Sequence, residues 1–160
     1  MFRHNIFGFK AFIDKYYPEL RADLSRNKIE IYKKYITQKD WFSVKQCNDN
    51  PDNLYVFGDN TLRIGKGGQA QIRDCENSFG ICTKRTPSTD DDAYFRDTLS
   101  DWEFIVEDLK KLKEVEKKYK SIIFPADGLG TGLSEMPNRC PKLYTQFSKH
   151  LEDNYGFLNP

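Results

Sequence analysis

The stretch LYVFGDNTLRIGKGGQA, residues 54–70, joins a short apolar run to a loop that is rich in glycine. The run at residues 54–57 predicts a buried β-strand, because it is short, continuous and followed by turn residues. An Asp-Asn pair and four glycines then follow, with few bulky side chains among them. Since glycine has no Cβ atom, such a loop either forms flexible turns or brings its backbone very close to a ligand.

The remainder of the chain alternates strand-like and helix-like patterns. β-Branched and aromatic runs predict further strands at residues 29–36, 79–84 and 121–125. Apolar residues at helical spacing predict long helices at residues 101–119 and 140–151, and shorter ones after Asp40 and at residues 68–73. Strands that alternate with helices predict an α/β domain of three layers.

A second glycine-rich loop follows the strand predicted at residues 121–125. Its sequence is DGLGTGLSEMP, residues 127–137. Ligands of open α/β sheets bind in the loops beyond the carboxyl ends of the strands. Successive backbone N–H groups form concave sites for anions, and a helix that follows such a loop adds its positive N-terminal end. Two such loops suit a diphosphate better than a single phosphate.

The glycine spacing of the first loop matches no strong motif. Gly65, Gly67 and Ala70 have the spacing of a dinucleotide-binding fingerprint, which is weak evidence when it stands alone. A P-loop is excluded, because the Gly65-Lys66 pair is followed by glycine instead of serine or threonine. Simple turns are the alternative for each loop.

The composition is typical of a globular protein with one domain. Of the 160 residues, 38% are hydrophobic and 14% aromatic, which is too apolar for a disordered chain. The net charge of +1 gives no sign of binding to nucleic acid or to a membrane surface. No run approaches about 18 apolar residues, and the N-terminus lacks the apolar core of a signal peptide. We therefore expect a cytoplasmic protein.

The four cysteines form no CxxC pair and no histidine cluster accompanies them, so we expect free thiols, no metal site and no cofactor.

Residues 1–28 are predicted to be a helical extension that packs on the domain at residues 29–160. A protein partner for the apolar face of this extension is the alternative.

Four polar side chains follow predicted strands and are candidates for ligand contact. Asp59 and Asn60 begin the first loop and Asp127 begins the second, and each either caps a turn or hydrogen-bonds a ligand. Lys84 ends the strand at residues 79–84 and is either solvated or partly desolvated. Desolvation would lower its pKa and make it a candidate nucleophile or base.

Several motifs of the chain occur together in a known family. The order YVFGDN, GKGGQA, FGICTK and IIFPADGLGTGL resembles the macrodomain-like proteins, in particular small members found in bacteria and bacteriophages. The resemblance extends over about residues 29–152. It implies a three-layer αβα sandwich with a mixed sheet, in which a cleft between two loops binds ADP-ribose or a related nucleotide.

The resemblance also implies which residues contact this ligand. Those near the distal ribose lie in the first loop and are Gly58, Asp59, Asn60, Gly65, Gly67, Gly68 and Gln69. Those around the diphosphate lie in the second loop and are Gly128, Leu129, Gly130, Thr131 and Gly132.

A catalytic lysine is a further implication of the resemblance. In one macrodomain branch, a lysine that closes a Thr-Lys strand attacks the anomeric carbon of ADP-ribose attached to glutamate, and Lys84 matches its position. That branch has an aspartate in the second loop where this chain has Gly132. Asp127 is the candidate for the missing acid, and Asp59 and Glu135 are the alternatives.

Three functions stay open on these grounds. The first is an ADP-ribosyl hydrolase with Lys84 as nucleophile or electrostatic anchor. The second is a module that binds ADP-ribose derivatives without cleaving them, which the departure at Gly132 favours. A role in phage counter-defence, in the host cytoplasm, fits either of these by analogy alone. The third is a partner protein whose glycines only form turns.

Overall fold

The computed structural model describes residues 34–160, and the predicted extension at residues 1–28 lies outside them. The strands and helices follow one another along the chain as β1 (Lys34–Gln38), α1 (Val44–Asp49), β2 (Asn53–Asn60), β3 (Ser78–Lys84), α2 (Leu99–Val115), β4 (Ser121–Pro125), α3 (Met136–Arg139) and α4 (Pro141–Tyr155). Short 3₁₀ turns occur at Gly68–Ile72, Asp91–Ala93 and Glu116–Lys118.

The four strands form one sheet in the order β1-β4-β2-β3. β2 pairs in parallel with β3 on one side and with β4 on the other. This confirms the α/β class. The mixed sheet is a finer prediction, and neither pairing of β2 supplies its antiparallel strand. Because β2 lies between β3 and β4, the carboxyl ends of these three strands meet at one edge of the sheet.

Helical segments cover both faces of the sheet. Successive side chains of a strand point to opposite faces, and residues 54–57 of β2 are all buried. Leu54 and Val56 pack in the core that includes α2 and α4. Tyr55 and Phe57 pack in a second core, with α1 and the 3₁₀ turn at Gly68–Ile72. The sheet is therefore the middle one of three layers.

The long helices agree with the sequence prediction apart from their ends. α2 begins two residues before the predicted start, because the Thr98 hydroxyl accepts a hydrogen bond from the backbone N–H of Asp101. α4 continues past residue 151 to Tyr155 and is capped by Gly156, whose φ of +65° is the left-handed conformation that glycine favours. In α1 the N-cap is Ser43 and not Asp40, because the Ser43 hydroxyl accepts from the N–H of Gln46.

The helix predicted at residues 68–73 is a 3₁₀ turn. Gly68 has φ of +60°, which a right-handed α-helix does not tolerate, and the N–H groups of Ala70 and Arg73 bond carbonyls three residues earlier. The prediction that a helix N-terminus adds positive potential to the first loop was therefore wrong. The charge near this loop comes from side chains.

The four cysteines are free thiols, as predicted. Burial raises the pKa of Cys47 and of Cys140 to about 12, which keeps both as thiols at neutral pH. Within residues 34–160, no cluster of three or more histidine, cysteine or acidic side chains is arranged to hold a metal ion. In the same part of the chain, no helix has the length and apolar character needed to cross a membrane.

Asn77 joins α1 to the start of β2 and β3. Its side-chain Nδ2 lies 3.0 Å from the carbonyl oxygen of Cys47, 3.1 Å from that of Asn50 and 2.9 Å from that of Asn53. The residue is buried. One amide thus shares its two N–H groups among three carbonyl groups of the stretch that links α1 to β2.

We expect Asn77→Ala to lower the free energy of unfolding by about 1–3 kcal/mol, because buried carbonyl groups lose their donor. Urea unfolding followed by circular dichroism measures this change. The matched control is Asn48→Ala on the exposed surface of α1, which should stay within about 0.5 kcal/mol of the parent protein. Equal unfolding midpoints for the two variants would contradict the role given to Asn77.

Candidate functional site

Two glycine-rich loops meet at the carboxyl edge of the sheet. We call residues 58–68 the first loop, residues 126–135 the second loop and the space between them the loop cleft. A Cβ atom added at Gly58 would lie 3.9 Å from the backbone nitrogen of Gly130 and 3.3 Å from the Thr83 hydroxyl. The first loop, the second loop and the end of β3 are therefore neighbours.

The second loop packs against Met136 and is hydrogen-bonded to Asn159, which follows α4. Gly130 has φ of +84°, and a Cβ at this position would lie 2.4 Å from the Met136 sulfur. The Asn159 side chain accepts from the N–H of Leu129 at 2.9 Å and donates to its carbonyl at 3.0 Å. Leu129, which was predicted to contact a ligand, is buried and its backbone is already paired.

Two glycines in these loops have open space where a side chain would be. A Cβ added at Gly67 or at Gly132 has no heavy atom within 4 Å among the described residues. Neither residue has a positive φ. The packing of residues 34–160 therefore does not explain the glycine at either position, and the bare backbone is available for close approach by a ligand.

Asp59 makes an ion pair within the protein. Its two carboxylate oxygens accept from the guanidinium of Arg73 at 2.9 and 2.6 Å, and one of them also accepts from the N–H of Asn60 at 2.8 Å. The Asp59 side chain is only 2% exposed. Bidentate pairs of this kind are strong and geometrically specific. The predicted contact of Asp59 with a ribose would have to compete with this pair.

Arg73 also holds the shape of the first loop. Its Nε donates to the Gly65 carbonyl at 2.8 Å and its Nη2 to the Ile64 carbonyl at 3.1 Å. Asn60 donates to the same Ile64 carbonyl, while the Gln69 side chain accepts from the N–H of Phe42. Asn60, a predicted ligand contact, thus stabilises the loop, and Gln69, another, ties the residue after the loop to Phe42.

Lys84 lies at the end of β3 and is 6% exposed. Its Nζ donates to the Ser88 carbonyl at 2.8 Å and lies 4.4 Å from the centre of the Tyr94 ring. Burial lowers the pKa of Lys84 below its ordinary value, Glu135 raises it and the Arg139 guanidinium lowers it further. Lys84 is therefore a desolvated ammonium that loses its proton more readily than a surface lysine.

The second loop contributes an acid to the surroundings of Lys84, and this acid is Glu135. Its backbone is left-handed, with φ of +50°, which is uncommon outside glycine and is found at strained functional positions. The Arg139 guanidinium lies 3.5 Å from the Glu135 carboxylate and stacks 3.6 Å from the centre of the Tyr94 ring. The same group pairs with Asp91 at 3.3 Å. These contacts form one cluster of charged and aromatic groups.

Asp127 is placed differently from Glu135. It is exposed, and its backbone carbonyl accepts from the Thr131 hydroxyl. The charge of Glu135, and not that of Asp127, contributes to the pKa of Lys84. The sequence analysis named Asp127 as the candidate acid, with Asp59 and Glu135 as alternatives. It missed Arg73, Arg139 and Tyr94 altogether, since each reaches its partner through the tertiary fold.

Gly80 on β3 is required by the Asp59–Arg73 ion pair. A Cβ at this position would lie 2.4 Å from an Asp59 oxygen and 2.8 Å from the Asp59 Cβ.

We expect Gly80→Ala to destabilise the protein by about 1–3 kcal/mol, because the Asp59 Cβ atom can move away only if the backbone of β2 moves with it. Gly67→Ala is the matched control and should be neutral or slightly stabilising. Thermal unfolding of both variants measures this, and equal melting temperatures would argue against the constraint.

The comparisons with known proteins give a family and no function. No curated protein and no solved structure is significantly similar to the chain. Residues 37–150 match a family of unknown function, DUF7831. This range contains β2, β3 and β4 with both glycine-rich loops, and it covers more than half of the chain. The chain therefore belongs to the family DUF7831.

Proposed function

We propose that the chain binds ADP-ribose, or a related nucleotide with a diphosphate, in the loop cleft of a macrodomain-like αβα sandwich. The observation that carries this proposal is the contact of the two glycine-rich loops at the carboxyl ends of adjacent parallel strands. Ligands of α/β sheets bind at this kind of place. The nucleotide would lie along the cleft, with its diphosphate against the backbone of the second loop.

The open backbone at Gly67 and Gly132 supports a ligand that carries phosphate. Because the side chains of Asp59 and Asn60 make contacts within the protein, the bare backbone at Gly67 can offer N–H donors to a ligand, beside the exposed Lys66 side chain. Backbone N–H groups bind phosphate oxygens well in loops of this kind. A diphosphate uses donors from two loops at once, and a single phosphate does not.

We expect selective, saturable binding of ADP-ribose in calorimetric titrations, with AMP, ADP and NAD as comparison ligands. Gly132→Val should weaken the binding at least about tenfold, because a branched side chain fills the approach to the backbone. The same variant should keep its melting temperature, since a Cβ at Gly132 has no neighbour within 4 Å. Asn48→Val, on the exposed surface of α1, is the control. Absence of binding by all four ligands would contradict the proposal and favour a partner protein.

Lys84 is the proposed nucleophile if the bound ADP-ribosyl group is also cleaved. The neutral Nζ would attack the anomeric carbon, forming a C–N bond while the C–O bond to the carboxylate of the modified residue breaks and that carboxylate leaves with the electron pair. Water then attacks the same carbon and loses a proton to the nearby Glu135 carboxylate, while the C–N bond breaks and Lys84 leaves as the neutral amine. The low exposure and lowered pKa of Lys84 support this role.

We expect Lys84→Met to reduce hydrolysis of ADP-ribosyl glutamate at least about 100-fold, because the variant has no nucleophile. Its affinity for free ADP-ribose should change much less. In the parent protein, the rate should rise with pH through the lowered pKa of Lys84, because only the neutral amine attacks. Lys120→Met, at a side chain that is 84% exposed, is the control. Unchanged turnover in Lys84→Met would end the proposed mechanism.

The second candidate function is binding without cleavage. It is favoured by the contacts of Lys84, whose Nζ is bonded to the Ser88 carbonyl and lies over the Tyr94 ring. A lysine that is held in this way anchors the end of β3 and is not poised for attack. Saturable binding of ADP-ribose with no turnover of any ADP-ribosyl derivative would establish this function. A role in phage counter-defence fits it by analogy.

A further inference from the structure

A second pocket lies along the outer edge of β3, between the first loop and α2. Its volume is about 340 Å³, which falls within the range of about 300–1,000 Å³ for small-molecule sites. β3 lies on the opposite side of β2 from β4, and no residue of the second loop lines the pocket. The pocket is therefore a different place from the loop cleft.

Along this edge, side chains already form hydrogen bonds with backbone groups of β3. The Gly80 carbonyl accepts from Arg63 at 3.0 Å, and the N–H of Cys82 donates to Asp108 at 2.7 Å. Arg63 and Asp108 also pair with each other at 2.5 Å. These contacts prevent the edge from pairing with another strand. A peptide strand is therefore not the occupant that this pocket suits.

The pocket is lined by more cationic than acidic side chains. The Asp59 and Asp108 side chains are each 2% exposed and are neutralised by Arg73 and Arg63. Lys111 is a third cation on the pocket wall. It is exposed, and it has no acidic partner within the described residues 34–160. The pocket thus carries one positive charge more than its acids neutralise.

The arginines also keep donors for a ligand. Arg63 donates to Asp59, Gly80 and Asp108, which leaves about two of the five N–H groups of a guanidinium without a partner among the described residues. Arg63, Lys111 and the aromatic ring of Phe79 all line the pocket. The lining thus combines cationic side chains with an aromatic one.

We propose that this pocket binds a small organic anion, whose phosphate or carboxylate contacts Lys111 and Arg63 while its apolar part packs on Phe79. The ion pairs of Asp59 and Asp108 fix the arginines before the ligand arrives, so little side-chain entropy is lost on binding. The site does not depend on the nucleotide proposed for the loop cleft.

Titration calorimetry with phenyl phosphate, benzoate and benzyl alcohol tests the proposal on the whole chain. We expect saturable binding of at least one of the two anions, and their relative affinity tells whether the ligand is a phosphate ester or a carboxylate. Benzyl alcohol, which has the ring without the charge, should bind far more weakly. No saturation by either anion, or equal binding of the alcohol, would overturn the proposal.

A matched pair of variants locates the binding. Lys111→Gln should weaken the binding of the preferred anion roughly tenfold by removing the unpaired charge. Lys110→Gln, at the neighbouring side chain that is 72% exposed and outside the pocket, should not weaken it. Equal affinities of the two variants would place the anion elsewhere and overturn the assignment. Binding should persist in Gly132→Val, so a failure here and a failure of the loop cleft are distinguishable.

Discussion

The ion pair between Asp59 and Arg73 is the interaction on which the first loop depends. Asp59 is the last residue but one of β2, and the Arg73 guanidinium that pairs with it also holds two carbonyls of the loop, so this guanidinium joins strand and loop. The pair has a steric consequence on β3, where Gly80 leaves room for Asp59. Removal of one partner from a buried ion pair leaves an uncompensated charge, which is strongly destabilising. The loop is thus rigid although it is rich in glycine.

This rigidity changes what the first loop can offer to a ligand. The polar side chains that the sequence suggested as ligand contacts, Asp59, Asn60 and Gln69, make contacts within the protein. The loop then offers a ligand its backbone, which is bare at Gly67, and the exposed side chain of Lys66. A rigid backbone with N–H groups favours phosphate over ligands that need side-chain readout. The ion pair therefore holds the loop, and the glycines leave its backbone open to a ligand.

Lys84 combines two opposing features. Burial lowers its pKa, which favours the neutral amine that a nucleophile needs, while Glu135 nearby favours the charged form. The Ser88 carbonyl and the Tyr94 ring contact its Nζ. A catalytic role requires a ligand to displace these contacts, whereas a binding module leaves them intact. Glu135, the last residue of the second loop, has a left-handed backbone, a conformation that is often found at functional sites.

Local patterns in the sequence determined the α/β class, the strands at residues 54–57, 79–84 and 121–125, both long helices and the position of the glycine-rich loops after strands. These features depend on the spacing of apolar residues along one segment, which a sequence displays directly. Tertiary structure alone decided the partners of the polar side chains. Arg73 lies 14 residues from Asp59, and Arg63 lies 45 residues from Asp108. Such pairs are formed by the packing of distant segments, and no local pattern specifies them.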